Sequence, residues 1–420
     1  MNIQAYVEAE RDQLIAWRRH FHEYPEPSQK EFKTMDFIEA RLHEWDIPTV
    51  RIPKGGIIGT IDSGTPGYTV LMRADMDALP ITENPQNLCR EKVCLSKNRG
   101  YSHACGHDGH MAMLLTEAKI LAAHRDEWDG TVLVVFEEAE EFGERGVGHI
   151  MEYILDKQIH VDACYGTHVR WDIPAGKMAV LDGSVMAGTF FFRANINGQS
   201  GHGSRPDLSV SPIDAFLSFA NALQSFRMRS VDPTHCMTYS FGAVQAGQEP
   251  NVIPDTLTFA GTSRFFTNSD GIAFHRKFHQ ILTNECENFG CTGAMIEDQS
   301  LPVVENNSTC VALAKKGIAQ YVGPDTVIDV EPWMASETYS VYLAAFPGIL
   351  AFTGIKDDTV GSGANHHTPE FDLAEDGLVT GAASALAYVT TILAEKPDLS
   401  SFKPADIQQV LSLLNDGSQQ

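Results

Sequence analysis

The sequence is short of basic residues, and this shortage excludes two classes of partner. Its 420 residues include 31 Lys and Arg against 55 Asp and Glu, which gives a formal net charge of -24. Nucleic acids and anionic membrane surfaces would repel such a chain. We therefore expect neither as a partner, although net charge does not restrict a small substrate that meets only one pocket.

Signals for export and for a membrane span are also missing. Acidic residues occur among the first ten positions, and the apolar segment of a secretory signal does not follow them. A spanning helix needs roughly 18 or more consecutive apolar residues, and no run approaches that length. The eight cysteines are few and irregularly spaced, which suits free thiols in a reducing compartment. We expect a cytoplasmic protein.

What the chain does contain is a dense cluster of metal-ligand side chains. Residues 103–110 read His-Ala-Cys-Gly-His-Asp-Gly-His. Cys105 and His107 are the sharpest pair, because an i, i+2 spacing in extended chain directs both side chains to one side, as two ligands of one ion require. The cluster predicts an active-site metal loop.

The hydrophobic pattern predicts an α/β fold with a mostly parallel catalytic sheet and helices on both faces. Strands and helices alternate along this part of the chain: helices are expected over 11–24, 32–45 and 109–124, and buried strands over 68–75, 131–136 and 163–168. Ligands of such sheets lie beyond the carboxyl ends of the strands, where Asp75, Glu140, Glu141 and His168 fall. These side chains are expected to share one cleft.

A second pattern begins near residue 184. The predicted order is β-α-β-β-α-β, the split βαβ or ferredoxin-like arrangement, with strands near 185–196, 236–244, 256–266 and 292–298 and helices near 213–228 and 270–288. We therefore expect a catalytic metal-binding domain over 1–183 and 301–420, and an inserted α+β domain over 184–300.

Two adjacent carboxylates follow the second buried strand. In an extended segment the side chains of Glu140 and Glu141 diverge, so one can ligate metal while the other transfers protons. A solvated acidic run is the alternative interpretation. With Cys105 and His107, the strand-end His168 and the pair His366-His367 supply nitrogen, sulfur and oxygen ligands from four segments, the spread from which buried catalytic sites are assembled.

These residues lie in motifs that resemble the M20 metallopeptidase and amidohydrolase family. The similarity spans nearly the whole chain, in the order RADMDALPITE (73–83), HACGHDGHMA (103–112), EAEE (138–141), GTHV (166–169), GHGSRP (201–206), NVIP (251–254), SET (336–338) and HHTPEFD (366–372). The branch it resembles most holds indole-acetyl-amino-acid hydrolases, hippurate hydrolases and aminobenzoyl-glutamate hydrolase subunits.

The resemblance implies hydrolysis of the amide bond of N-acyl or N-aroyl amino acids by a metal-bridging water. It implies two divalent metal ions per subunit, manganese or zinc, with the ligands Cys105, His107, Glu141, His168 and His367. Glu140 would then be the general base. Asp77 would not bind metal itself but would orient one of the metal ligands.

The resemblance also implies a lid and dimerisation role for the inserted domain, in a homodimer or a tetramer. His202 would reach the active site of a neighbouring subunit to steady the oxyanion. Asn251 and Arg264 would hold the substrate carboxylate. From the residues alone, a polar turn residue is the favoured interpretation of His202, and a surface residue is that of Arg264.

Two positions depart from the branch pattern. Glu137-Glu138 replaces the usual Gln-Pro, and Glu337-Thr338 replaces the usual Glu-Asp. The first is expected to add negative charge near the metals and the second to remove it, so we expect both metal preference and substrate fit to differ from those of relatives.

Three other functions stay open at this point. A dipeptidase or aminopeptidase would use the same metals on a dipeptide substrate. A metal-free hydrolase would use Cys105 as a nucleophile activated by His107 or His103, and it would survive chelation. A non-catalytic metal-binding protein would keep the fold without the activity.

Overall fold

A computed structural model describes residues 1–414 of the chain. The described residues form two compact units. Unit 1 comprises residues 1–185, 305–332 and 341–407, and unit 2 comprises residues 186–304, 333–340 and 408–414. The expected α/β fold class, with a large and mostly parallel central sheet, is confirmed.

The chain forms helices and strands in close alternation. The α-helices are α1 (Ile3–Ala9), α2 (Arg11–Glu23), α3 (Phe32–Glu44), α4 (His107–Ala123), α5 (Gly146–Asp156), α6 (Pro212–Ser230), α7 (Asn268–Asn288), α8 (Ser308–Tyr321), α9 (Ser340–Ala345), α10 (Glu375–Glu395) and α11 (Ile407–Leu414). The strands are β1 (Thr49–Ile52), β2 (Gly56–Asp62), β3 (Thr69–Asp75), β4 (Thr131–Glu137), β5 (Ala163–Pro174), β6 (Met178–Ala179), β7 (Gly183–Met186), β8 (Gly188–Asn197), β9 (Gly201–His202), β10 (Met237–Ala246), β11 (Val252–Ile253), β12 (Thr256–Phe265), β13 (Thr292–Leu301), β14 (Val304–Asn306) and β15 (Gly348–Lys356).

Unit 1 is built on a seven-stranded sheet of order β1-β2-β4-β3-β5-β15-β6. Its four central strands, β4, β3, β5 and β15, are parallel, and the outer strands pair antiparallel. Because the central strands are parallel, their carboxyl ends lie along one edge of the sheet, and this edge is where the candidate site is found.

Both faces of the central strands are buried. On β4, Val132, Val134 and Phe136 belong to the main apolar core of unit 1, whereas the intervening Leu133 and Val135 are buried outside that cluster. Such strands read as continuous apolar runs rather than alternating ones, as parallel strands covered on two sides do.

Helix α10 contributes much of this core. By length and composition it is apolar enough to cross a membrane, but 83% of its most apolar stretch is buried within the protein. Its small residues allow close packing: a Cβ on Gly381 would lie 2.4 Å from the sulfur of Met113 on α4. The helix is thus accounted for by core packing.

Unit 2 contains a four-stranded antiparallel sheet of order β10-β12-β8-β13. With α6 between β8 and β10, and α7 between β12 and β13, this is the ferredoxin-like order expected from the sequence. Phenylalanines dominate its apolar core, among them Phe190, Phe192, Phe219, Phe259 and Phe278. Residues 190 and 192 point into this core, as the alternation of a half-buried strand requires.

Candidate metal centre

Three neighbouring strands, β3, β4 and β5, carry polar side chains of the candidate site in unit 1. Asp75, the last residue of β3, is the cross-strand partner of Glu137, the last residue of β4. His168 lies on β5, opposite Phe352 of β15. Asp75 and Glu137 therefore lie at strand ends, whereas β5 continues to Pro174, so the expectation that His168 ends its strand is wrong.

The loop that carries Cys105 and His107 is a turn, so the extended conformation assumed from their i, i+2 spacing is wrong. Gly106 between them has φ 90° and is the N-cap of α4, which begins at His107. A Cβ at Gly106 would lie 2.3 Å from Cγ2 of Val169. The left-handed turn needs glycine for its backbone and for this close approach, and it still brings both ligand atoms within 4.8 Å of each other.

Sulfur, nitrogen and oxygen atoms from separate segments converge beside this turn. Cys105 Sγ lies 3.6 Å from His168 Nε2 and 3.3 Å from His367 Nε2. Glu141 Oε1 lies 3.1 Å from His367 Nε2 and 3.9 Å from His107 Nε2. The five predicted ligands therefore form one continuous cluster in unit 1.

His367 reaches this cluster from an exposed loop. Its own φ is 62°, and its backbone N–H donates to the carbonyl of Ala104 at 2.9 Å. The side chain is 49% exposed, in contrast to the other members of the cluster. This hydrogen bond fixes the histidine loop to the turn that holds Cys105.

Glu140 and Glu141 do not diverge, which corrects the expectation based on an extended segment. Ala139 has φ 54°, so the chain turns just before the pair. As a result Glu140, Glu141 and His107 each offer a ligand atom within 4.8 Å of the others. The turn is held by Glu31, whose Oε1 accepts the N–H of Ala139 at 2.8 Å.

Asp77 braces two members of the cluster at once. His107 Nδ1 lies 2.8 Å from the carbonyl oxygen of Asp77 and 3.2 Å from its Oδ1. The other carboxylate oxygen accepts the N–H of Glu141 at 2.9 Å and the hydroxyl of Ser28 at 2.6 Å. Burial would raise the pKa of Asp77, but the hydrogen bond from His107 and the other donors lower it. This anion fixes the proton of His107 on Nδ1 and leaves Nε2 as a ligand atom.

His110 lies within reach of the cluster but serves as a brace. Its Nδ1 donates to Asp75 Oδ1 at 2.6 Å, and its Nε2 accepts the N–H of Val169 at 2.9 Å. Both ring nitrogens are thereby used, so His110 steadies the backbone beside His168 rather than ligating an ion. The sequence placed His110 in the metal loop without separating this role from that of a ligand.

The donor set fits divalent cations. His107 Nε2 and Glu141 Oε1 are buried and make no hydrogen bond to any part of the chain that the structure describes. Leaving such atoms unpaired costs about 1–3 kcal/mol each, which ligation of a cation would offset. Thiolate, imidazole and carboxylate together suit zinc and admit manganese.

The carboxylate of Glu137, which departs from the Gln-Pro of the branch pattern, is paired with a buried arginine. It therefore adds less net negative charge near the metal ligands than the sequence suggested. Arg73 Nε lies 2.9 Å from Glu137, and Arg73 Nη1 lies 2.7 Å from Asp75. The Tyr342 hydroxyl donates to Glu137 at 3.1 Å. The buried arginine is thus shared between the two strand-end carboxylates.

A second buried network supports the metal loop from the N-terminal helices. Arg18 Nε lies 3.0 Å from Asp108, and His22 Nδ1 lies 2.8 Å from the same carboxylate. Arg18 also reaches Asp372, at 3.5 Å, in the segment that follows His367. No sequence motif indicated this network, nor the contacts of Ser28 and Glu31, because each depends on distant segments packing together.

The remaining three predicted residues lie in unit 2. His202 on β9 pairs with Val252 on β11, and the N–H of Gly203 donates to the carbonyl of Asn251 at 2.8 Å, so His202 and Asn251 are neighbours. His202 is exposed, and the hydroxyl of Ser204 lies 2.8 Å from its Nδ1.

Arg264 belongs to a different sheet of unit 2, on β12. Its guanidinium hydrogen-bonds the hydroxyls of Thr189 and Thr262 and lies 4.9 Å above the ring of Phe191. Burial lowers the pKa of Arg264 to about 10. The side chain is therefore a cation held in partly buried surroundings rather than a freely solvated surface residue.

Comparison with known proteins identifies relatives along most of the chain. The profile of peptidase family M20/M25/M40 matches residues 71–391. IAA-amino acid hydrolase ILR1-like 2 of Arabidopsis thaliana is 34% identical, covering 93% of this chain and 87% of the relative. Thermostable carboxypeptidase 1 of Saccharolobus solfataricus is 33% identical, covering 90% and 95%. N-acetyl-L-cysteine deacetylase of Bacillus subtilis is 32% identical, covering 87% and 85%.

Two solved structures are similar in fold to this chain along most of its length. A crystal structure from methicillin-resistant Staphylococcus aureus superposes with a TM-score of 0.86 at 29% identity, covering 93% of this chain and 99% of that one. The YXEP protein of Bacillus subtilis, described as a dinuclear metal binding peptidase, gives a TM-score of 0.74 at 29% identity, covering 93% and 100%.

Proposed function

The chain belongs to the peptidase family M20/M25/M40 and is a hydrolase, and from that membership we propose that it cleaves the amide bond of N-acyl or N-aroyl amino acids. The products are a carboxylic acid and a free amino acid. Two relatives support this substrate class by their names, an IAA-amino acid hydrolase and an N-acetyl-L-cysteine deacetylase.

The observation that carries the proposal is the convergence in unit 1. Five ligand-type side chains and one further carboxylate meet there, with a buried His107 Nε2 that lacks a hydrogen bond to the described chain. We propose that Cys105, His107, Glu141, His168 and His367 hold two divalent cations. When bound, such cations lower the pKa of water and polarise the scissile carbonyl.

Glu140 is the proposed proton carrier. It is 7% exposed and offers an oxygen within 4.8 Å of His107 and Glu141, so its carboxylate borders the ligand atoms. In the proposed mechanism Glu140 accepts a proton from the attacking water and delivers it to the departing nitrogen. Asp77 holds His107 and the Glu141 backbone in place through both steps.

A metal-free thiol mechanism is disfavoured by the surroundings of Cys105. Burial and the nearby Glu141 carboxylate raise the pKa of the Cys105 thiol well above its ordinary value, although His107 acts in the opposite direction. A thiol nucleophile needs a lowered pKa, because the thiolate is the reactive form.

Recognition of the substrate carboxylate is proposed for unit 2. Arg264 offers a partly buried cation, and Asn251, beside His202, offers an amide donor. We further propose that the protein is a cytoplasmic homodimer, or a tetramer of such dimers, in which His202 serves the site of the neighbouring subunit. Mixing a Glu140 variant with a His202 variant would test this, since activity returns in the mixture only if a site with intact Glu140 receives an intact His202 from the neighbouring subunit.

Peptidase activity is the second candidate, because one relative is named a carboxypeptidase. The test is a substrate panel of N-acetyl, N-benzoyl and indole-acetyl amino acids together with dipeptides. The full chain is chelated and assayed, and then assayed again after addition of manganese or zinc. Metal-restored release of amino acid from acylated substrates supports the proposal, whereas activity restricted to dipeptides supports the peptidase. Activity that survives chelation contradicts both.

A further inference from the structure

Unit 2 contains a histidine and carboxylate cluster of its own. His275 and His279 lie one turn apart on α7, and Asp298 lies on β13. Residues at i and i+4 of a helix share a face, so both imidazoles extend toward the same side. Each of the three side chains offers a ligand atom within 4.8 Å of the other two.

The two imidazoles approach different oxygens of one carboxylate. His275 Nε2 lies 2.7 Å from Asp298 Oδ1, and His279 Nε2 lies 3.0 Å from Oδ2. The first contact is a hydrogen bond. The second is not, because His279 Nε2 is buried and makes no hydrogen bond within the described part of the chain. A nitrogen held this close to an anion, but off the hydrogen-bond direction, suits a cation placed between them.

A bulge in β13 places Asp298 on the helix side of the sheet. Met295 pairs with Ala194, but Glu297 pairs with Arg193, so Ile296 is an extra residue in the strand. An extra residue reverses the alternation of side chains. Without it Glu297 would face α7 and Asp298 would face away. The irregularity therefore aims this particular carboxylate at the two histidines.

The surroundings favour an ionised carboxylate at Asp298. Burial alone would raise the pKa of Asp298, but the hydrogen bond from His275 and the close approach of His279 lower it well below its ordinary range. The ring of Phe190 lies 4.8 Å from that of His275 and forms an apolar wall behind it. All three side chains keep some exposure, between 21% and 36%, which leaves room for water as a further ligand.

We propose that His275, His279 and Asp298 form a divalent cation site, separate from the cluster of unit 1. Two imidazole nitrogens and one carboxylate oxygen are a three-ligand set typical of zinc, with water completing the coordination. The bound ion would tie α7 to β13, the edge strand of the sheet.

The same unit offers a matched control in a simpler pair. His235 Nδ1 lies 2.6 Å from Asp270 Oδ2, also with a partly exposed histidine, and no second histidine completes this pair among the described residues. If an ion only needed one histidine beside one aspartate, both places would bind it. The proposal requires all three side chains, His275, His279 and Asp298.

The test counts zinc in the full-length protein after chelation and dialysis against about 10 µM free Zn²⁺, a level within the range of specific protein sites. Ions per subunit are measured by plasma mass spectrometry for wild type, the double variant H275A/H279A, and H235A. We expect the double variant to bind one ion fewer than wild type, and H235A to match wild type. The difference between variants counts the unit 2 site alone, so it holds whatever unit 1 binds.

A second variant protects the test against a folding failure. Asp298→Asn keeps the size of the side chain and a hydrogen-bond acceptor but removes the anionic ligand, and its folding is checked by circular dichroism. Loss of groups that merely support a ligand weakens metal binding roughly tenfold or more, so D298N is expected to weaken zinc binding at this site at least that much. Equal ion counts in wild type and the double variant, or unchanged binding in D298N, would overturn the proposal.

Discussion

The two histidine clusters of this protein use similar ligand atoms in different surroundings. In unit 1, Cys105, His107 and His168 are each at most 7% exposed, and a separate carboxylate, Asp77, fixes His107 from behind. In unit 2 the only carboxylate of the trio is itself shared by both histidines. In unit 1, side chains that are not themselves ligands orient the ligand atoms. In unit 2, the proposed ligands orient one another by direct contact.

This difference bears on the catalytic role proposed for the first cluster and the structural role proposed for the second. A braced ligand keeps its tautomer and orientation without the ion, so binding requires little reorganisation. In the trio of unit 2, the hydrogen bond between His275 and Asp298 must give way to the ion. We therefore expect tighter metal binding in unit 1 than in unit 2, and chemistry only in unit 1.

The largest expected effect comes from removing a ligand of unit 1. His107→Ala should bind fewer ions and lose on the order of 10³-fold or more in kcat, because the charge stabilisation supplied by a metal is worth several kcal/mol. Ion content and amide hydrolysis are measured together. The matched control is His103→Ala in the same loop, where burial lowers the pKa of the histidine to about 4 and no ligand group includes it. Similar losses of ions and of kcat in both variants would contradict the assignment of His107, but not His103, as a metal ligand.

A smaller effect is expected from removing the brace while keeping every ligand. Asp77→Asn retains size but offers a weaker acceptor to His107 and the Glu141 backbone. Outer groups of this kind typically contribute roughly 10–100-fold in metal affinity. Competition with a chelator measures the affinity of the variant. If D77N binds metal as tightly as wild type, the claim that Asp77 strengthens metal binding by orienting His107 and Glu141 is refuted.

The effect furthest from the ligand atoms concerns the carboxyl group that holds the turn before Glu140. Burial, with the nearby Asp77 carboxylate, raises the pKa of Glu31 from 4.5 to about 8. Between these values the folded state keeps a proton that the unfolded state has released, so stability falls as pH rises through this window, by at most about 1.4 kcal/mol per pH unit.

Glu31→Gln removes this pH dependence while keeping an oxygen that accepts the N–H of Ala139. The variant should therefore gain in stability relative to wild type as pH rises from 5 to about 8. Urea unfolding of chelated protein at several pH values measures the difference. Parallel stability profiles for the two proteins would show that Glu31 does not titrate as proposed.

The parallel sheet followed readily from the sequence. Buried runs at 131–136 and 163–168 lie within β4 and β5, and helix 109–124 corresponds to α4 with two more residues at its start. Several elements were not predicted, among them three in the N-terminal part of the chain. Helix α1 is short and β1 spans four residues, while β2 contains Gly56 and Gly59, which weaken a strand pattern. At Gly59 a Cβ would lie 2.9 Å from Val134, so packing explains this glycine.

The geometry inside the site was less accessible than its composition. The ligand types were visible in the motifs, but the turns that aim them depend on single backbone angles, at Gly106 and Ala139. An i, i+2 or adjacent spacing gave the wrong local conformation in both places. The braces at Ser28, Glu31 and Arg18 come from segments more than 40 residues away from their partners, a separation that periodicity cannot reveal.

The central claim is that Glu141 ligates metal whereas the adjacent Glu140 transfers protons. One paired measurement tests this claim most directly. Ion content and kcat are determined on the same preparation of Glu140→Gln, with Glu138→Gln as the matched control two residues earlier. The account predicts an unchanged ion count and a kcat lowered about 10²–10⁴-fold, the usual contribution of a proton-transfer group, with E138Q close to wild type. An E140Q variant that hydrolyses amides at the wild-type rate, or that loses its ions, would contradict the account.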